Sequence, residues 1–336
     1  FMDILDTEVG IDNIDYIVIN HAEPDHSGSL GRIMERRPDL PIYCSVKGAD
    51  IIRKHFHKDW NFRKVKTGDT LSIGQCELVF VDMTMIHWPD SMMTFAKGPN
   101  VLFSNDAFGQ HYAGASIFED EADECVVWQE AIKYFAGILA PMTPLIKKKI
   151  AEIMELKLPI EIIAPSHGMI WRKNPLRIVE KYAKWADNYD EGSVAIVYDT
   201  MYKATKKMAE AIAKGLETKG VLCKLYNSSL SDVSDIITEM FKAKGIIVGS
   251  CTVNNGTLRS IAGVLDEIRG HKFKNKVGAA FGSYGWSGEA PKKIHKELEE
   301  AGIKMVAEPI SFKYQPEEKE LEACIQFGRD FADKMK

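Results

Sequence analysis

From Val194 onward, short apolar runs alternate with longer amphipathic stretches. The runs are Val194–Tyr198, Val221–Tyr226, Gly245–Gly249, Val277–Phe281 and Met305–Ile310. Helical spacing of apolar residues marks Lys206–Lys219, Asp232–Lys244, Leu258–Arg269, Pro291–Ala301 and Glu317–Lys334. Runs this short, apolar at consecutive positions, are the pattern of strands covered on both faces. Five of them alternating with helices predict a doubly wound, five-stranded parallel sheet. Ligand-binding loops are then expected at the carboxyl ends of the strands.

The chain before this region reads as layered α/β. Asp15–Asn20 is a β-branched strand, and helical patterns follow near Leu30–Arg36 and Gly48–Phe56. A strand-rich zone includes Glu77–Asp82, Met93–Phe95 and Val101–Ser104, before helical patterns near Asp120–Ala136 and Pro144–Leu156. The polar stretch Asp187-Asn188-Tyr189-Asp190-Glu191-Gly192 reads as a linker. Two domains are expected, over residues 1–190 and 193–336.

Composition narrows the function classes. The 336 residues carry 43 Lys and Arg against 48 Asp and Glu, a net charge of −5. This mild acidity gives no reason to expect nucleic acid as a partner. No uninterrupted apolar run reaches the ~18–20 residues of a membrane helix, so no membrane association is expected. The six cysteines are scattered, with no C-x-x-C pair. That spacing fits free thiols in a reducing cytoplasm and argues against a zinc ribbon or rubredoxin module among these residues.

The densest chemistry lies at His21-Ala22-Glu23-Pro24-Asp25-His26, directly after the first strand. Four metal-ligating side chains within six residues are more than a polar helix cap requires. Further candidates follow other strands: His87 in His87-Trp88-Pro89-Asp90-Ser91, Asp106 after Ser104-Asn105, and His167 in Pro165-Ser166-His167-Gly168. His55, His57, His111, His271 and His295 read as ordinary solvated or hydrogen-bonded histidines.

The H-x-E-x-D-H cluster with separate His, Asp and His resembles the metallo-β-lactamase fold. Hydrolytic members usually have His where this chain has Glu23. Carboxylate in place of imidazole makes the site harder and more anionic, which favours iron over a two-zinc hydrolytic centre.

In the second domain, Tyr198-Asp199-Thr200-Met201-Tyr202-Lys203-Ala204-Thr205 joins a strand to a helix. Such a turn offers backbone N–H groups and hydroxyls to a phosphate. Neither a dinucleotide fingerprint nor a nucleoside-triphosphate loop is present. Two more loops lie on the same expected sheet edge: Ser250-Cys251-Thr252-Val253-Asn254-Asn255-Gly256 and Gly282-Ser283-Tyr284-Gly285-Trp286-Ser287-Gly288. The aromatics of the latter suit stacking on a planar ring. Together the three loops resemble those of flavodoxin. The resemblance implies FMN, its phosphate on Thr200, Met201, Tyr202, Lys203, Ala204 and Thr205. Ser250, Thr252, Val253, Asn254, Asn255 and Gly256, with Ser283, Tyr284, Gly285, Trp286, Ser287 and Gly288, would then flank the isoalloxazine. Met201, Tyr202 and Lys203 stand where flavodoxins usually carry small residues.

Read as one chain, these motifs resemble the flavodiiron proteins. That resemblance implies one iron on His21, Glu23 and His87, a second on Asp25, His26 and His167, and a bridging Asp106. Tyr134 is a candidate hydrogen-bond donor at the pocket, with core packing as its alternative role. The implied reaction reduces O₂ to water or nitric oxide to nitrous oxide. Electrons would come from rubredoxin or another reduced carrier, and the implied assembly is a head-to-tail homodimer or a dimer of dimers. Only about 20 residues precede His21, fewer than the family usually has there, so the chain is expected to be an amino-terminally truncated form. Two other functions compete: a metal-dependent hydrolase fused to a flavodoxin module, and a non-catalytic electron carrier. Glu23 argues against the first and the full ligand set against the second.

Overall fold

The computed structural model describes residues 1–335 and divides into two compact units. Unit 1 comprises residues 1–135 and 142–186, and unit 2 residues 136–141 and 187–335.

Unit 1 contains two sheets. The first holds parallel strands β1 (Ile17–Ile19), β2 (Ile42–Ser45) and β3 (Phe62–Val65). The second runs in the order β4 (Thr70–Ser72), β5 (Glu77–Asp82), β6 (Met92–Lys97), β7 (Val101–Asn105) and β8 (Ile162–Pro165). It is antiparallel from β4 to β7 and parallel between β7 and β8. Helices α1 (Met2–Glu8), α2 (Pro24–Ser27), α3 (Leu30–Arg36) and α4 (Val46–Phe56) accompany the first sheet in sequence. Helices α5 (Glu124–Tyr134), α6 (Thr143–Glu155) and α7 (Leu176–Trp185) complete the unit.

Apolar side chains of the two sheets meet in one cluster. Leu78, Phe80, Met92 and Ala96 pack with Tyr16, Val18, Tyr43 and Val65. Tyr43 and Phe80 stack with centroids 6.1 Å apart, and Tyr16 meets Tyr43 edge-on. Ile33, Leu40, Ile42, Ala49 and Ile52 form a separate core with α3 and α4. The strand ends that carry the ligand-type residues therefore rest on packed, dry interiors.

Unit 2 is a single parallel sheet. Its order is β10 (Cys223–Asn227), β9 (Val194–Asp199), β11 (Gly245–Ser250) and β12 (Val277–Tyr284), with β13 (Lys304–Met305) and β14 (Ile310–Lys313) both beside β12. The connecting helices are α8 (Ala204–Glu217), α9 (Val233–Lys242), α10 (Arg259–His271), α11 (Ala290–Glu300) and α12 (Glu318–Lys334). Every residue of the central strands β9 and β11 is buried, as a sheet covered on both faces requires. The order 2-1-3-4-5 reverses between β9 and β11, which opens a crevice at their carboxyl ends.

One expectation needs correction here. The run Met305–Ile310 is not one strand but two short ones, β13 and β14, each pairing with β12. Pro309 lies between them and has no N–H to donate to a ladder.

Close packing of α8 against α12 depends on two glycines. A Cβ at Gly215 would lie 2.1 Å from the Ile325 carbonyl, and one at Gly328 2.2 Å from that of Ile212. The two backbones therefore touch where any larger residue would separate them. Among the described residues, no helix is long and apolar enough to cross a membrane.

Candidate functional site

The turn after β1 begins with buried His21 and continues into the short helix α2, with Pro24 in its first turn. Proline is suited to that position, because its fixed φ matches the helix and its missing N–H is not needed. The turn presents His21, Glu23, Asp25 and His26 within a few ångströms of the loops after β5, β7 and β8. Two groups of atoms result. His21, Glu23, His87 and Asp106 form one, and Asp25, His26 and His167 the other.

Asp106 lies between the two groups. Its Oδ2 is 3.3 Å from His87 Nε2 and 3.8 Å from His21 Nε2. Its Oδ1 is 2.9 Å from His26 Nε2 and 3.2 Å from His167 Nε2. Asp25 Oδ2 is 3.2 Å from His167 Nε2, and Glu23 Oε2 is 3.1 Å from His21 Nε2. His26 Nε2 and Asp106 Oδ1 are buried, yet neither makes a hydrogen bond. Buried nitrogen and oxygen atoms brought this close without a hydrogen bond fit a bound cation. The mixture of imidazoles and carboxylates fits iron.

The charges in this centre act on one another strongly. Burial alone would raise the Asp106 carboxyl, but the imidazoles of His167, His26 and His87 hold it far below the usual carboxylate range. His167 is raised, chiefly by Asp106, with burial opposing and Asp25 adding to the rise. For His21, burial pulls downward, but Asp90, Asp106 and Glu23 together leave it raised. A metal entering the site must therefore displace protons from these rings.

Loops after β7 and β8 are fixed by Gln110, which is fully buried. Its amide donates to the Phe108 carbonyl and accepts from Met169 N at 2.6 Å, while its own N–H donates to the His167 carbonyl. Gly168 has φ +81°, and a Cβ there would lie 2.3 Å from Gln110 Oε1, so the turn needs glycine on both counts.

Tyr134 ends α5, ahead of a π-helical turn at Phe135–Leu139. Its buried ring lies 4.9 Å from that of His111 and 6.2 Å from that of His167. Burial, reinforced by Asp106, pushes its hydroxyl far above the ordinary tyrosine range. His111, expected to be an ordinary histidine, has its ring 5.8 Å from that of His167. Its sequence context gave no sign of that placement.

In unit 2, the loops after β9, β11 and β12 surround a cavity of about 540 Å³. Thr200, Met201, Tyr202, Ala204, Thr252, Val253, Asn254, Ser283, Tyr284, Gly285 and Trp286 line it. Cys251, Tyr314 and Gln315 do so as well, although they were not among the expected contacts. The last two follow β14 directly, so a strand end on the same sheet edge was the available signal. Thr200 Oγ1 is buried there without a partner, as a phosphate-binding hydroxyl would be.

Lys203, Thr205, Ser250, Asn255, Gly256, Ser287 and Gly288 do not line the cavity. Several of them shape its walls instead. Lys203 is exposed and takes φ +66° where α8 begins. Thr205 is buried and hydrogen-bonds Ser283 at 3.0 Å. Ser250 donates to the Cys251 carbonyl and accepts from Leu258 N. Asn254 and Asn255 both have positive φ in a tight turn closed by Val253 and Gly256. A Cβ on Gly288 would lie 3.0 Å from the Tyr284 ring. Gln315 joins the first loop to β14 by donating to the Tyr202 carbonyl at 2.7 Å and accepting from Lys207.

All six cysteines are free, and burial pushes Cys44 up to about 12 and Cys223 up to about 11. Cys44 and Cys223 are poor nucleophiles as a result.

Two family matches are found along the chain. Residues 1–168 match the ODP family beta lactamase, and residues 196–328 match Flavodoxin. The anaerobic nitric oxide reductase flavorubredoxin of Aliivibrio salmonicida (strain LFI1238) is 46% identical over 336 residues, covering 99% of this chain and 67% of its own length. That of Klebsiella pneumoniae subsp. pneumoniae is 47% identical, covering 99% of this chain and 70% of its own. Among solved structures, rubredoxin oxygen:oxidoreductase of Desulfovibrio gigas has a TM-score of 0.95 and 35% identity, covering 98% of this chain and 83% of its own. The flavodiiron protein of Giardia intestinalis has a TM-score of 0.94 and 29% identity, covering 99% and 83%.

Proposed function

Because this chain belongs to the flavorubredoxin/flavodiiron protein family, we propose that it reduces nitric oxide to nitrous oxide, and dioxygen to water, with electrons passed through FMN to the metal centre. The protein is an oxidoreductase, and its cofactors are FMN and a non-haem pair of irons. When bound, FMN would supply electrons singly or in pairs, and the iron pair would supply the redox centre for reducing a diatomic gas.

His21, Glu23 and His87 would hold one iron and Asp25, His26 and His167 the other, with Asp106 placed to serve both. The observation that carries this reading is the placement of Asp106. Each of its oxygens faces a different group of side chains, and the carboxyl stays ionised among three imidazoles. Tyr134 keeps its proton in the buried pocket and so acts as an O–H donor rather than an anion. Thr200 and the turn into α8 would hold the flavin phosphate. The aromatic walls Tyr284, Trp286 and Tyr314 shelter the ring system.

Nitric oxide is the first choice of substrate, because the 46–47% identical relatives are named for that reaction. The Desulfovibrio gigas structure is named as an oxygen oxidoreductase and supports dioxygen as the second. Both relatives' names also point to rubredoxin, or a carrier like it, as electron donor. A head-to-tail homodimer, or a pair of such dimers, would bring the flavin of one copy to the metal centre of another. Anaerobic stopped-flow mixing of the reduced protein with each gas tests the substrate. Faster flavin reoxidation by nitric oxide than by dioxygen is expected, and the reverse order would overturn that preference.

A further inference from the structure

The motif His87-Trp88-Pro89-Asp90-Ser91 contains an acid outside both groups of metal-facing atoms. Asp90 is 1% exposed. Its Oδ1 lies 3.1 Å from His21 Nδ1, and its Oδ2 accepts from the Ala22 backbone N–H at 2.7 Å. One carboxylate thus holds the ring of His21 and the backbone of the next residue. Asp90 is fixed in turn. Its carbonyl accepts from Ser45 Oγ at 2.8 Å, and Ser45 caps α4 by accepting from Gly48 N. On the far side of the ring, His21 Nε2 faces Glu23 and Asp106.

A neutral imidazole has one N–H and one lone pair, and the partner of one nitrogen decides which is which. An ionised carboxylate can only accept. When a cation takes the Nε2 side, Asp90 selects the Nδ1–H form and leaves the Nε2 lone pair directed at the first group of metal-facing atoms. We propose that Asp90 is the positioning residue of the first metal site, fixing both the tautomer and the direction of His21. The inference rests on the reading of His21 as an iron ligand.

Asp90→Asn separates shape from chemistry. The Ala22 N–H is a fixed donor and takes the amide oxygen, which turns the amide NH₂ toward His21 Nδ1. His21 then accepts at Nδ1, carries its proton on Nε2, and has no lone pair for the metal. Anaerobic titration of the metal-free, FMN-loaded protein with Co²⁺, read by visible absorption, should show two bound equivalents in the unaltered protein. In Asp90→Asn the first-site equivalent should bind about 10–100-fold more weakly, the usual cost of losing such a partner. ¹⁵N NMR of the protein loaded with diamagnetic Zn²⁺ should show the His21 proton on Nδ1 in the unaltered protein and on Nε2 in the variant. A loss of packing alone would not move that proton. Two tightly bound equivalents in Asp90→Asn, equal to the unaltered protein, would overturn the inference. So would a His21 proton on Nε2 in the Zn²⁺-loaded unaltered protein, a result available even if the variant does not fold. Fewer than two equivalents in the unaltered protein would instead count against the two-metal reading itself.

Discussion

Seven side chains that carry or can carry charge converge in unit 1, whereas none of the fourteen residues lining the cavity of unit 2 is charged. The first arrangement is frustrated without a cation: carboxylates and imidazoles crowd together, and two buried atoms, 2.9 Å apart, make no hydrogen bond. The second is nearly neutral. It offers aromatic surface to a flat ring, and a turn with a free hydroxyl to a phosphate. The difference suggests two ways of specifying an occupant. The candidate metal centre would do so by charge, through side chains from four separate strand ends. The candidate flavin cavity would do so by shape and backbone, through loops along one edge of one sheet. Charge removal should therefore be severe in unit 1, and small polar deletions mild in unit 2.

The largest effect is expected for Asp106→Ala. Losing the carboxylate that faces both groups should weaken binding of each metal at least about 100-fold, since even losing a supporting partner costs 10–100-fold. Retention of both metals, measured by elemental analysis after dialysis, would break the contrast.

An intermediate effect should come from Lys276, a cation buried in unit 2 whose Nζ donates to the carbonyls of Tyr189 and Phe241 at 2.7 and 2.6 Å. Burial lowers it from 10.5 to about 8. Between these values the unfolded chain holds a proton that the folded chain has released. Stability contributed by this group should therefore rise with pH from about 8 to about 10.5 and be lowest below 8. The rise is on the order of 3 kcal/mol at most. Denaturant unfolding across that range, compared with Lys276→Met, isolates it, and parallel pH profiles for the two proteins would contradict it.

The smallest effect is expected for Thr200→Ala. A hydrogen bond to a charged group contributes about 1.5–3 kcal/mol, so FMN should bind roughly 10–100-fold more weakly. Stability of the flavin-free protein should not fall, because the hydroxyl has no partner to lose. Fluorescence titration with FMN, alongside thermal unfolding of the flavin-free protein, checks both statements.

The two regions also differ in how far the sequence alone reveals them. In unit 2 the buried strands β9, β11 and β12 are legible as apolar runs, because both faces are covered and no polar alternation interrupts them. The break between β13 and β14 was not, although Pro309 marks it, and Tyr314 and Gln315 went unseen as cavity walls for that reason. In unit 1 the ligand-type residues stand out individually, since His, Asp and Glu after apolar strands are conspicuous. What positions them does not stand out. Asp90 and Gln110 act through distances across the fold, to His21 sixty-nine residues away and to Met169 fifty-nine residues away. His111 looks like any surface histidine until the loops after β7 and β8 come together.

The central claim is that one chain carries a two-iron centre and one flavin. Its most direct test is to count iron, zinc and FMN per chain in protein purified without oxygen. The account predicts about two irons, one FMN and negligible zinc. Zinc in place of iron, or FMN with no metal, would contradict it.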